Sequence, residues 1–212
     1  MKKIYFIRHG ESEANAGNAW QGPDGPLTEK GRAQVASVAD RLKTVPFTAL
    51  ISSPFVRARD TAEAIAAQVD KEIEFSELFV ERRRPSELVG LARTDPRSLE
   101  VDAQINAHFA TPGWRHSDEE NFEDMTARAR SALAYLAEHP HDEIVVVTHG
   151  FFMRVMLASA LAGENLTPEL CEHFLTSFRT ANTGISLLMY DEKAPRPWWL
   201  WTWNDHAHLI GK

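Results

Sequence analysis

Short apolar runs alternate along this chain with longer segments of helical periodicity. Residues 3–7 (KIYFI) read as a buried strand, because the apolar run from Ile4 to Ile7 stops abruptly at Arg8-His9-Gly10. A polar stretch rich in Gly and Asn follows as far as Pro26. Thr28 then offers an N-cap, and Val35, Val38, Ala39 and Leu42 recur at helical spacing to about Lys43, which predicts an amphipathic helix. Residues 49–52 read as a second strand, after which Ser53-Pro54 predicts an N-cap followed by proline at the first position of a helix reaching about Gln68. A third strand is expected at 72–75, then a helix around 99–109. Residues 122–138 form the clearest helix, with Met125, Ala129, Ala132, Leu133 and Leu136 on one side, and 143–147 the clearest buried strand. Helices at 151–161 and near 168–175 and strands at 184–190 and 198–203 complete the pattern.

Strands alternating with helices predict an α/β fold of three α/β/α layers, a mainly parallel sheet with helices on both faces. No Gly/Ser linker, low-complexity tract or internal repeat divides the chain, so residues 1–212 read as one domain. Residues 77–120, dense in charge and weak in periodicity, form a cap-like excursion from the sheet, placed to cover a site.

Composition narrows the function class. With 43% hydrophobic and 25% charged residues over 212 positions, intrinsic disorder and collagen-like structure are excluded. No apolar run approaches the roughly 18 residues of a membrane span, and Arg8 cuts off the first one too early for a secretory leader. A cytoplasmic protein with no membrane partner is therefore expected. A formal charge of -7 argues against nucleic acid as a partner but leaves room for a locally built anion site. The single cysteine, Cys171, fits helix packing; no Cys/His cluster suggests a metal, and no cofactor is expected.

In parallel sheets, ligands bind beyond the carboxyl ends of the strands. Three such ends carry charge or imidazole here: Arg8-His9-Gly10, Ser52-Ser53-Pro54 leading to Arg57, and Thr148-His149-Gly150. Two guanidiniums and two imidazoles converging at one place suit a phosphoryl group, whose oxygens accept forked hydrogen bonds.

These residues resemble the histidine phosphatase superfamily, also called the phosphoglycerate mutase-like family, whose pattern opens RHGExxxN. The chain reads Arg8-His9-Gly10-Glu11-Ser12-Glu13-Ala14-Asn15, then Pro26-Leu27-Thr28-Glu29-Lys30-Gly31, then Ser52-Ser53-Pro54-Phe55-Val56-Arg57-Ala58. Val145-Val146-Val147-Thr148-His149-Gly150 looks like the second-histidine motif, and Asn182-Thr183-Gly184-Ile185 and Ala207-His208-Leu209 look like the closing segments. The resemblance implies a phosphohistidine mechanism without metal. His9 is then the nucleophile, kept neutral by Arg8 and Arg57, which also hold the phosphate. His149 donates to an equatorial phosphoryl oxygen, and Asn15 adds an amide donor. The proton donor falls in Leu78-Phe79-Val80-Glu81-Arg82-Arg83-Arg84 and is assigned to Glu81, with Glu77 as competitor; a carboxyl beside a dianionic substrate favours its protonated form.

Mutases of this family carry the acid in a Glu-Arg-His-Tyr-Gly context, whereas Glu81 precedes Arg82-Arg83-Arg84-Pro85. Hydrolysis of a small phosphomonoester is therefore the expected activity, with a cofactor-dependent phosphoglycerate mutase and a non-catalytic phospholigand-binding protein as alternatives. Arg82, Arg83 and Arg84 are expected to face water or pair with acids such as Glu87, with an anionic tail of the substrate as the alternative. Capping accounts for Ser53, and no Gly-x-Ser-x-Gly elbow supports a nucleophilic serine. His206 and His208 lack companion metal ligands and are read as packing, and His139 and His141 as loop residues. Trp114 and His116 are guessed to belong to a lid. Trp199, Trp201 and Trp203 are expected to share one strand face, in core or edge packing or else in a homodimer contact.

Overall fold

A computed structural model describes residues 1–210, in which six strands build one sheet. The strands are β1 (Lys2–Arg8), β2 (Ala49–Ser52), β3 (Ile73–Phe75), β4 (Glu143–Thr148), β5 (Ile185–Tyr190) and β6 (Trp198–Asp205). Their order is β3-β2-β4-β1-β5-β6. The pairs β3–β2, β2–β4 and β4–β1 are parallel, while β5 runs antiparallel to β1 and β6 antiparallel to β5.

The helices are α1 (Glu13–Ala16), α2 (Glu29–Leu42), α3 (Val56–Val69), α4 (Pro96–Ala107), α5 (Phe122–Glu138), α6 (Gly150–Ala162) and α7 (Pro168–Ser177). Strand periodicity sorts the central residues to the two faces. Ile4, Phe6, Ile144 and Val146 pack with α5 and α6, whereas Ile7, Val145 and Val147 pack with Val38 and Leu42 of α2 and Ala58 and Ile65 of α3. The expected three-layer α/β/α arrangement results.

Two helices, α6 and α7, separate β4 from β5. The pair returns the chain to the strand ends it left, and Thr183 N–H donates to the Arg8 carbonyl there at 2.9 Å. From that point β5 has only one direction available, opposite to β1, so the sheet is mixed rather than parallel throughout.

Helix boundaries follow local chemistry. Thr28 Oγ1 accepts from Gly31 N–H, as expected of a cap, and Asn121 and Asp124 form a reciprocal capping box on α5. The helix expected at 99–109 begins earlier, at Pro96, because Asp95 caps it with proline in the first position. A correction applies to Ser53: α3 starts at Val56 after Phe55, with no side-chain cap, so Ser53 does not cap that helix.

The excursion shares a small core with the segment after α1, in which Leu88, Val101 and Ile105 are buried together with Trp20 and Trp114 packs against them. At the other edge, the β5–β6 pairing shifts register between Leu187 and Leu188 and again toward Ile185. This bulging re-aims the side chains. Trp198, Leu200 and Trp203 pack on the same cluster while Trp201 is 69% exposed, so Trp199, Trp201 and Trp203 do not share a face. No helix among the described residues is long and apolar enough to cross a membrane.

Candidate active site

The carboxyl ends of β1, β2 and β4 lie side by side, and backbone pairing to β4 continues one residue past β1 and β2. His9 N–H donates to the Thr148 carbonyl and Ser53 N–H to the Val147 carbonyl, both at 3.0 Å. Consequently His9, Ser53 and His149 project from adjacent positions, with the two imidazole centroids 5.1 Å apart. Both histidines are buried.

His9 Nδ1 lies 2.6 Å from the Gly10 carbonyl oxygen, which can only accept, so Nδ1 carries the proton and Nε2 keeps its lone pair. Arg57 Nε sits 3.3 Å from that Nε2. Burial first, and then the charges of Arg57 and Arg8, hold the His9 imidazole well below its ordinary proton affinity. Burial and the charge of Arg57 do the same for His149. The two rings are therefore neutral at neutral pH.

Arg8 Nη1 donates to the Thr180 carbonyl at 2.6 Å, and Arg57 Nη1 to the Gly22 carbonyl at 2.9 Å. Burial lowers the proton affinity of both guanidiniums, that of Arg57 down to about 10, which leaves them charged. Gly150 is required by close approach: a Cβ there would stand 2.6 Å from Thr180 Oγ1 and 3.1 Å from Arg8 Nε. Thr183 holds a left-handed backbone at φ 59°, unusual for a β-branched residue, while its N–H pins the end of β1. Asn182 Nδ2 donates to the His9 carbonyl at 3.0 Å.

Glu81 arrives from the excursion. Its Oε1 accepts from Phe152 N–H at 3.0 Å and its Oε2 from Phe151 N–H at 3.2 Å, in the first turn of α6. Arg128 of α5 clasps the segment before it, donating to the carbonyls of Leu78 (3.2 Å) and Val80 (2.8 Å). Glu77, the competitor, is exposed beside Arg83 and does not line the cavity.

Arg8, His9, Asn15, Arg57 and Glu81 all border one cavity of about 310 Å³. His149 lies behind His9, with Nε2 bonded to Ser53 Oγ at 2.9 Å and Nδ1 buried without a partner. Asn15 uses its amide oxygen on Ser12 N–H and Asn182, leaving its NH₂ group as a donor.

The expected placement of Arg82 is corrected. Arg82 is only 7% exposed and lines the cavity, and so does Arg84, which pairs with Asp102 at 2.6 Å rather than with Glu87. Arg83 and Arg84 each pair with an acid as expected, Glu77 and Asp102 respectively, while Glu87 itself pairs with Arg97 and His116. Trp114 stacks on His108 and His116 bonds Glu87, and neither borders the cavity as a lid residue would. His208 Nε2 meets Thr183 Oγ1 at 3.0 Å, and no group of three metal-binding side chains occurs among the described residues.

A family profile for the histidine phosphatase superfamily, branch 1, matches residues 4–206. The chain belongs to that family. Histidine phosphatase superfamily members are phosphatases and mutases that use a catalytic histidine, so the chain is an enzyme of this group. Among its relatives is a probable phosphoglycerate mutase, GpmB, of Photorhabdus laumondii, 31% identical over 99% of this chain and 95% of the relative. A mutant phosphoserine phosphatase from Entamoeba histolytica, solved with phosphoserine, superposes with a TM-score of 0.78 at 27% identity, covering 99% of this chain and all of that one. YhfR of Bacillus stearothermophilus shares the fold at a TM-score of 0.82, with 24% identity over 98% of this histidine phosphatase chain and 99% of its own.

Several cavity residues of this family member escaped the sequence reading: Trp20, Gln21, Arg93, Arg154, Arg179 and Thr180. Arg154 alone had a usable signal, standing one helical turn after Gly150.

Proposed function

We propose that the protein is a metal-independent phosphatase that hydrolyses a small phosphomonoester through a phosphohistidine on His9. The observation that carries this reading is the pinning of His9 Nδ1–H on the Gly10 carbonyl at 2.6 Å, which leaves Nε2 as a neutral nucleophile beside two guanidiniums.

In the first step Nε2 attacks phosphorus and the bond from phosphorus to the ester oxygen breaks. Arg8, Arg57 and Asn15 hold the equatorial oxygens, and His149 donates to the charge that develops on them. The leaving alkoxide takes a proton from Glu81. Water then attacks the phosphohistidine, Glu81 removes its proton, and inorganic phosphate departs with His9 restored. A general acid of this kind contributes about 10²–10⁴-fold.

A mutase reading has support in the name of the curated relatives. It differs only in the acceptor of the second step, a substrate hydroxyl in place of water. The Arg82-Arg83-Arg84-Pro85 sequence after Glu81 favours hydrolysis over that alternative.

The test is mass spectrometry of the protein quenched during turnover of p-nitrophenyl phosphate in EDTA, with phosphate release followed in parallel. An adduct on His9 with phosphate release, both lost in His9→Ala, is the expected result. Loss of turnover in EDTA would overturn the metal-independent mechanism, and an adduct discharged only to added hydroxyl compounds would establish the mutase. Phosphate binding with neither adduct nor release would make the protein a phospholigand-binding module.

A further inference from the structure

The cavity in front of His9 holds more positive charge than one phosphoryl group uses. Among the described residues, seven arginines border it and Glu81 is its one carboxylate, in a chain whose formal charge is -7. Arg8 and Arg57 serve the phosphoryl position. The charge that remains is concentrated where the excursion meets the segment after α1.

Backbone pairing builds that wall. Trp20 N–H donates to the Leu91 carbonyl, Gly90 N–H to the Trp20 carbonyl and Arg93 N–H to the Asn18 carbonyl, all at 2.9 Å. The Trp20 indole consequently meets two cations, with the guanidinium carbons of Arg84 and Arg93 each 4.3 Å from its ring centroid. Cation–π contact orders these guanidiniums without neutralising them. Asp102 partly offsets Arg84, but Arg93 has no ion pair among the described residues. Arg82 completes the wall, its guanidinium carbon 5.3 Å from the Phe151 ring centroid.

Hydrogen-bond accounting points the same way. Arg82 Nε, Trp20 Nε1 and Gln21 Nε2 are buried without hydrogen-bond partners among the described residues, and all three residues border the cavity. Arg82 and Trp20 are each only 7% exposed. Every one of these groups is a donor, and buried donors left unpaired are costly unless a ligand supplies acceptors. Across the cavity, by contrast, Arg154 already donates to the carbonyls of Gly150 and Leu175.

We infer that the substrate carries a second anionic group, a carboxylate or a further phosphate, seated against Arg82, Trp20 and Arg93 while its phosphoryl group lies on His9. This inference rests on the phosphomonoesterase reading and narrows its substrate class. A neutral alcohol moiety would leave the Arg82 Nε–H without an acceptor and Arg93 without an ion pair among the described residues, whereas an anion there gains charge-assisted hydrogen bonds.

The experiment compares matched substrates on the full-length protein: phosphoglycolate against 2-hydroxyethyl phosphate, and fructose 1,6-bisphosphate against fructose 6-phosphate. In at least one pair, kcat/KM for the member with the second anion should be higher by about tenfold or more, the worth of a charged hydrogen bond. The pair that responds identifies the anion as carboxylate or phosphate. Arg93→Gln, on an exposed side chain outside any ion pair among the described residues, should raise KM for the doubly anionic member about tenfold more than for its partner. Arg82→Gln should act in the same direction. Equal kcat/KM within both pairs, together with a His9 adduct from p-nitrophenyl phosphate, overturns the inference and leaves the phosphatase standing. Absence of both adduct and turnover with every compound removes the phosphatase reading itself, and the inference with it.

Discussion

Ser53 Oγ lies 2.9 Å from His149 Nε2, in a fully buried contact that links the end of β2 to the end of β4. The same oxygen accepts from Phe55 N–H at 3.2 Å, which leaves the hydroxyl proton free for Nε2. With Nε2 as acceptor, the proton of the neutral ring sits on Nδ1, the atom that lacks a partner and can donate to a phosphoryl oxygen. We assign Ser53 as a positioning residue whose hydroxyl donates to Nε2 and so sets the tautomer of His149.

Ser53→Ala should therefore lower kcat by about tenfold to a hundredfold, the scale of a misplaced catalytic group, with KM changed little. Ser53→Thr keeps the hydroxyl and should recover most of the loss. Steady-state kinetics on the three proteins decides the matter, with thermal unfolding as a control for folding. A Ser53→Ala enzyme with kcat within twofold of wild type would sink the assignment.

Arg128 connects stability to the placement of Glu81. Its Nε and Nη2 each meet a Glu120 carboxylate oxygen at 2.7 Å, and its Nη1 holds the carbonyls of Leu78 and Val80. Removing one partner of such a buried pair costs about 3–5 kcal/mol, because the other charge stays buried alone. Arg128→Met should show that loss in denaturant unfolding. The double variant Arg128→Met/Glu120→Leu should regain much of the stability yet remain catalytically impaired, since the two carbonyls still lack their donor. Full activity in the double variant would mean that the clasp does not position Glu81.

Glu81 itself is tested by changing the leaving group. An acid matters when the departing alkoxide is a strong base and matters little when it is stable. Glu81→Gln should lower kcat/KM for an alkyl phosphate by about 10²–10⁴-fold and for p-nitrophenyl phosphate by much less. A uniform loss across leaving groups would assign the proton elsewhere.

The sheet and its helices were legible because single, local signals define them. Ile144 to Val147 alternate between two buried faces, and α5 matches the periodic segment 122–138 at both ends. His9, Arg57 and His149 were legible because strand ends in an α/β sheet converge by topology. What escaped depends on pairing between distant segments. Trp20 and Arg93 meet only through the strip of backbone bonds between 18–20 and 90–93, for which neither segment carries periodicity. Ser53 looked like a cap because Ser-Pro so often is one, and only the neighbouring β4 reveals its second partner. The bulges of β6 moved Trp203 to the face of Trp198, since one inserted residue inverts any prediction by alternation.

The two neutral histidines also tie stability to pH. In the unfolded chain each imidazole takes up a proton as pH falls through about 6.5, whereas the folded state resists protonation of His9 and His149 because of burial and the nearby guanidiniums. Between that value and the depressed folded ones, the unfolded state binds more protons, so unfolding free energy falls as pH falls. The slope is at most about 1.4 kcal/mol per pH unit for each histidine. Replacing His9 by Gln should flatten the decline of stability between pH 6.5 and 5 relative to wild type, as read by urea midpoints across that range. In the wild type, the imidazole Cε1–H resonances of His9 and His149 should hold their neutral-form shifts across the same interval. Titration of His9 near pH 6.5 would mean that the arginines do not keep it neutral, and the nucleophile would then need deprotonation by a group other than its surroundings.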